Sequence, residues 1–153
     1  MTNIKDKRLM VTRFNNSTWS ENQQWKERNE SVGCVYNAPV YIKEEIPLMI
    51  VIYVIEMNND TNKILGIGRI LNKVYTDQRY NIYGDNNYNR FTYRGKKRID
   101  NTELPKNLLE KLEERLFKSK KHLKRGQGIS QVTPDVKREY IEPIDVLFSS
   151  LGV

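Results

Sequence analysis

Leu48-Met-Ile-Val-Ile-Tyr-Val-Ile-Glu-Met57, Asn58-Asn-Asp-Thr-Asn62, Lys63-Ile-Leu-Gly-Ile-Gly-Arg-Ile-Leu-Asn72: two apolar, β-branched runs are joined here by five turn formers. The pattern predicts a β-hairpin with a polar tip. From Met49 to Ile55 the first arm is apolar on both alternations, so the strand must be covered on both faces, as in a closed barrel or under a helix. In the second arm Gly66 and Gly68 flank Ile67, a spacing that marks a bulge, a tight barrel corner, or a ligand or backbone in close approach. Without a third glycine it is not a dinucleotide fingerprint, and the sequence predicts no cofactor.

Upstream, Leu9–Phe14 reads as a first strand behind a loose basic tail over residues 1–8, stopped by Asn15-Asn16. Ser17 or Thr18 is a candidate cap for a short helix running to Lys26. Trp19 and Trp25 are six residues apart, off any single helical stripe, so either one packs inward while the other lines a surface or pocket, or both lie in the core. Gly33–Ile42 holds a turn glycine and two short extended pieces, the second behind Pro39. Cys34 there reads as a small buried hydrophobe.

Downstream, residues 74–98 interleave Tyr75, Tyr80, Tyr83, Tyr88 and Tyr93 with Arg79, Arg90 and Arg94. Stacking faces beside phosphate forks suit a single-stranded nucleic-acid surface; they equally suit tyrosine-rich edge strands of a barrel. Pro105–Leu123 carries an apolar stripe of Leu108, Leu109, Leu112, Leu116 and Phe117, which predicts an amphipathic helix stopped by Gly126. Thr133-Pro134-Asp135 predicts a cap and a short helix through Tyr140, followed by an apolar piece at 144–147 that closes the open side of the barrel.

One domain is the simplest division of 153 residues. A single Cys34 and a single His122 cannot make a zinc site within the chain. The polar N-terminus and the absence of an apolar run near the roughly 20 residues of a membrane span predict no membrane partner and an intracellular protein, in cytoplasm or nucleus. No long heptad is present, so a monomer is the default. The net charge of +7 is concentrated: residues 91–130 hold 12 Lys and Arg against 5 Asp and Glu, an excess equal to that of the whole chain. Such an imbalance points to a polyanion, nucleic acid first and RNA ahead of DNA. A solvated basic face, with its late lysines favoured by the helix dipole, is the plainer reading. It accounts for one or two charges, whereas the run ends in five basic residues followed by Gly-Gln-Gly. The expected phosphate-binding residues are Arg94, Lys96, Lys97, Arg98, Lys121, His122, Lys124 and Arg125.

The order of strand, short Asn/Ser/Trp-bearing helix, Gly-aromatic segment, hairpin with a Gly-Ile-Gly arm and Tyr/Arg-rich sheet resembles the PUA-like superfamily, within it the EVE and YTH branches with ASCH domains nearby, over about residues 9–98. That resemblance implies an α+β fold: a small curved β-barrel flanked by helices, with the helix at 105–123 as an elaboration or a variant closing element and the segment at 133–153 as a closing piece. It implies a pocket between the first strand, the following helix and the next strand, where many members enclose a base, often a modified one, in aromatics. Carried onto this chain, Arg13, Phe14 and Asn15 end the strand at the pocket rim, and Ser20 and Asn22 lie on the helix beside it. Tyr36 and Asn37 supply an aromatic wall and a polar neighbour. The YTH branch uses tryptophan at that wall, and Trp19 is the candidate to compensate. The Asn- and Lys-rich composition resembles that of proteins from AT-rich large DNA viruses. The functional expectation is a nucleic-acid-binding module reading an unpaired or modified base. The alternatives are an enzyme acting on a nucleotide or phosphorylated small molecule in the same pocket, with no catalytic motif to support it, and an interaction protein docking on an acidic partner.

Overall fold

In the computed structural model, which describes residues 6–29 and 33–150, the hairpin forms where the two apolar runs and their turn residues place it. Strand β3, Val51–Asn58, is buried at all eight positions and pairs antiparallel with β4, Lys63–Leu71. The register shifts between Glu56 and Met57, so one residue of β4 is extra opposite that point. This is the bulge that Gly66 and Gly68 announce, and the close approach is present as well. A Cβ on Gly66 would meet Arg98 Nη2 at 2.5 Å, and one on Gly68 would run into the Tyr36 hydroxyl. Glycine is required at both because a neighbouring side chain occupies that space.

β1, Arg8–Phe14, lies parallel to β3, with Phe14 level with Asn58. The sheet is completed by β6, Lys97–Asp100, beside β4 and by β7, Ser130–Gln131, beside β1, in the order β6-β4-β3-β1-β7. A separate two-stranded ribbon pairs β2, Cys34–Ala38, with β5, Phe91–Gly95. The fold is therefore α+β, but the expected closed barrel is not formed. β5 and β6 are one stretch of chain whose pairing changes partner at Gly95-Lys96, from β2 to β4. The ribbon packs across the sheet instead of extending it, and β7 and β6 remain as edges.

Burial of β3 on both faces comes from two separate apolar layers. Val51, Tyr53, Ile55 and Met57 face Leu112, Leu116, Ile144 and Phe148 of two helices. On the other face Ile52 and Val54 meet Trp25 of the first helix and Tyr36 and Tyr93 of the ribbon. This is the helix-covered alternative for a doubly apolar strand.

The first helix is α1, Asn16–Arg28, and its cap is Asn15, not Ser17 or Thr18. Asn15 Oδ1 accepts from Thr18 N at 2.7 Å and Thr18 Oγ1 accepts from Asn15 N at 3.0 Å, a reciprocal capping box. Asn15→Ala is expected to cost about 1 kcal/mol of stability by urea denaturation, with Asn15→Asp retaining most of it. α2 covers Lys106–Glu113 and continues as a π-helical turn, Glu114–Lys118, so it ends at Ser119 instead of Leu123. Only Lys118 of the late basic residues belongs to its last turn; Lys120 to Arg125 lie in the loop beyond, outside the reach of the dipole argument. α3, Pro134–Ser149, is one helix that runs through Pro143, where a short helix and a separate apolar piece were expected. It lies on the sheet face and closes no barrel. Behind Pro39, Val40–Ile42 forms no strand. Of the expected loose tail, residues 1–5 lie outside the described residues, while Lys7 Nζ donates to Asp145 Oδ1 at 2.5 Å and fastens the start of β1 to α3.

Candidate functional site

β1 ends at Phe14 because Asn15 turns the chain into α1, and the tip of the β3–β4 hairpin arrives beside it. Asn59 N donates to Phe14 O at 2.8 Å and Asp60 Oδ2 accepts from Asn16 N at 2.8 Å. The third component is the loop between α2 and β7. Arg13 fixes it at two ends: Nε donates to Leu123 O at 2.6 Å, while Nη2 donates to Ser130 Oγ at 3.0 Å and Nη1 to Gly128 O at 3.5 Å. Asn59 Nδ2 donates to Lys124 O at 2.7 Å. Between these anchors the chain arches through Arg125, Gly126 and Gln127, all exposed. Gly126 and Gly128 have φ of +132° and +67°, values that a residue with a Cβ rarely adopts.

Under the arch lies a pocket of about 360 Å³, lined by Thr12, Arg13, Phe14, Asn15 and Thr18, by Asn37 of β2, by Asn59, Tyr83 and Tyr88, and by Gly126, Gln127 and Gly128. Its polar groups are mostly engaged by the surrounding protein. Asn37 Nδ2 donates to Tyr80 O and Asn89 Oδ1, and Asn37 Oδ1 accepts from Thr92 Oγ1. The exception is Asn59 Oδ1, buried with no hydrogen-bond partner. Burial draws the Arg13 pKa down from its ordinary value, yet its charge is balanced by carbonyl and hydroxyl oxygens, so its part is to position the loop.

Four of the expected pocket residues, Arg13, Phe14, Asn15 and Asn37, come together here. The other four do not line it. Tyr36 is 1 % exposed, and its hydroxyl donates to Glu56 Oε2 at 2.6 Å. Trp19 packs edge-on against Phe14, with ring centroids 5.0 Å apart, and lies 5.4 Å from the Arg98 guanidinium. Asn22 is buried, donating to Val35 O and Tyr83 Oη. Ser20 is exposed, and its Oγ accepts from Gln24. The enclosure by Tyr36 and Trp19 that the resemblance implies is thus absent, because both rings are committed to packing.

The expected phosphate ligands also divide. Arg98 is 11 % exposed at its side chain and holds Glu56 in a two-pronged pair, with Nη2–Oε1 at 2.6 Å and Nε–Oε2 at 3.0 Å, and reaches Asp100 through Nη1 at 2.9 Å. Burial opposes its charge, but the hydrogen bonds and attraction from Glu56, helped by Asp100, outweigh it and raise the Arg98 pKa. Two carboxylates thus take up its charge. Cys34, beside this cluster, is fully buried and its thiol is pushed up to about 12, first by desolvation and then by Glu56, which leaves it unreactive. Lys121 lies in a shallow cleft with Ser119 and Asp135. His122 is exposed, with Nδ1 accepting from Lys124 N at 3.4 Å. Lys124 and Arg125 form the near side of the arch, and Arg94, Lys96 and Lys97 lie together at the far end of β5.

The sequence pointed to the Gly-Gln-Gly loop and the end of β1 but not to Asn59 or Thr12, and it named Tyr83 and Tyr88 as stacking faces without placing them at this pocket. Asn59 carried a usable signal, since five polar turn residues exceed what a tight hairpin needs. Among the described residues no group of three or more His, Cys, Asp and Glu is placed to hold a metal ion, and no helix is long and apolar enough to cross a membrane. In comparisons with known proteins, no family model matches the chain, and no curated protein or solved structure is significantly similar to it.

Proposed function

We propose that the chain binds single-stranded nucleic acid, RNA in preference to DNA, by admitting an unpaired base to the pocket at the end of β1 while the arch at 124–127 meets the adjoining phosphates. The observation that carries this reading is the fastening of a basic, glycine-bent loop over a pocket with no free charge inside. A neutral heterocycle fits such an interior, and the charge sits at the rim where a phosphate would lie. Tyr88 offers an exposed aromatic face at this pocket, beside the edges of Phe14 and Tyr83. Against an enzyme stand the lack of a nucleophile–base pair or metal cluster at the pocket and the exposed, isolated setting of His122.

Fluorescence anisotropy with labelled oligonucleotides tests the proposal. The double variant Lys124→Glu, Arg125→Glu is expected to lose about 10-fold or more in affinity, with the slope of log K against log salt reduced by about 0.7 for each phosphate no longer neutralised. Unchanged affinity and slope would remove the arch from the interface.

A further inference from the structure

At the other end of the ribbon from the pocket, a groove of about 260 Å³ is lined by Tyr75, Arg94, Lys96, Lys97 and Arg69, with no carboxylate among its lining residues. We propose that this groove is a second phosphate site, occupied by the backbone of the same strand whose base enters the pocket, a proposal that rests on the reading above.

Its construction is specific. Gly95 crosses β4 so closely that a Cβ there would collide with Arg69 O, and this close approach is what lets the chain pass from β2 to β4 while holding Arg94 and Lys96 on either side of the crossing. The Tyr75 ring is flanked by two cations, Lys73 Nζ at 4.8 Å and the Arg94 guanidinium at 5.0 Å from its centroid. Arg94 Nη1 donates to Tyr80 Oη at 2.9 Å, and Tyr80 in turn donates to Asp77 Oδ1 at 2.6 Å. Asp77 accepts from the tyrosine, stays charged and attracts Arg94 and Lys73, so it steadies Arg94 and offsets part of the charge of the four cations that line the groove. Like charges gathered this closely repel one another in the folded state. A bound anion relieves that repulsion.

The groove and the pocket are connected. Asn37, in the pocket lining, pairs with Thr92, and Arg94 and Gly95 follow on the same strand. Asn37 Nδ2 also bonds the carbonyl of Tyr80, whose hydroxyl bonds Arg94. Thr92 to Gly95 spans about 10 Å at ~3.3 Å per residue, on the order of three stacked nucleotides at 3.4 Å each. One strand of roughly six nucleotides can therefore occupy both sites.

The test is anisotropy at about 50 and 200 mM salt, using a dinucleotide and a six-nucleotide strand against wild type, Lys96→Glu and Lys96→Ala. Lys96 is exposed, so neither change threatens the fold. The proposal expects wild type to gain affinity with length and Lys96→Glu to lose about 10-fold on the longer strand. Lys96→Ala falls between the two, the salt slope on the longer strand drops by about 0.7 or more, and dinucleotide binding stays as in wild type. Wild-type affinity and slope in both variants on the longer strand would overturn the second site while leaving the pocket reading intact. Failure of wild type to bind any strand would overturn both.

Discussion

Arg98→Met is expected to destabilise the protein by about 3–5 kcal/mol, because it leaves the Glu56 carboxylate buried with only the Tyr36 hydroxyl for company. Glu56 is 1 % exposed, in the middle of the most deeply buried strand, and three of the four hydrogen bonds it accepts come from Arg98. Urea denaturation followed by tryptophan fluorescence gives the number. The double variant Glu56→Leu, Arg98→Met is expected to recover most of the loss, since replacing a buried pair by apolar groups of similar size is often neutral. If Arg98 were instead a phosphate ligand, the single variant would keep its stability and lose salt-dependent binding. Stability unchanged in Arg98→Met contradicts the structural assignment.

The largest effect on binding is expected from Arg13→Ala. Arg13 makes three of the four hydrogen bonds that fasten the arch, and charged hydrogen bonds contribute about 1.5–3 kcal/mol each. Without them Asn59 is left as the one side chain bonded to the loop, beside the backbone bond from Leu123 N to Leu116 O and the β1–β7 pairing, and affinity for an oligonucleotide falls by about 100-fold. Because Arg13 acts through the loop, a second readout separates positioning from direct binding. Amide exchange at residues 124–130 should accelerate sharply in the variant with no ligand present. Arg13→Lys, which supplies charge without the fork, should restore little of either property. Weakened binding with unaltered exchange would show that Arg13 touches the ligand directly.

What the sequence disclosed of this architecture follows from how local each cause is. The hairpin was legible because its alternation, its turn residues and its glycines all lie within 25 residues. The unclosed barrel was not, because the change of partner at Gly95-Lys96 depends on the close approach of Gly95 to the Arg69 carbonyl on another strand. Glu56 read as one acid at the end of an apolar run, and nothing near it announced a partner 42 residues away. The end of α2 was misplaced because the apolar stripe continues to Phe117 while the backbone widens into a π turn and then stops. That single difference moved Lys120, Lys121, Lys124 and Arg125 from a helix terminus into a loop. At the candidate site, Phe14, Asn15 and Asn37 were reached through the order of elements, whereas Tyr36 was assigned to a wall by its neighbours in sequence. Its true setting is dictated by the space above Gly68, which only the folded sheet creates.

The measurement that bears most directly on the account is an amide-resolved NMR titration of the protein with a short single-stranded RNA. Saturable shifts are expected at residues 12–15, Asn59, Tyr83, Tyr88 and 124–128, with α3 and the Glu56–Arg98 cluster unmoved. Shifts confined to any other face, or none at all with RNA in excess, would contradict it.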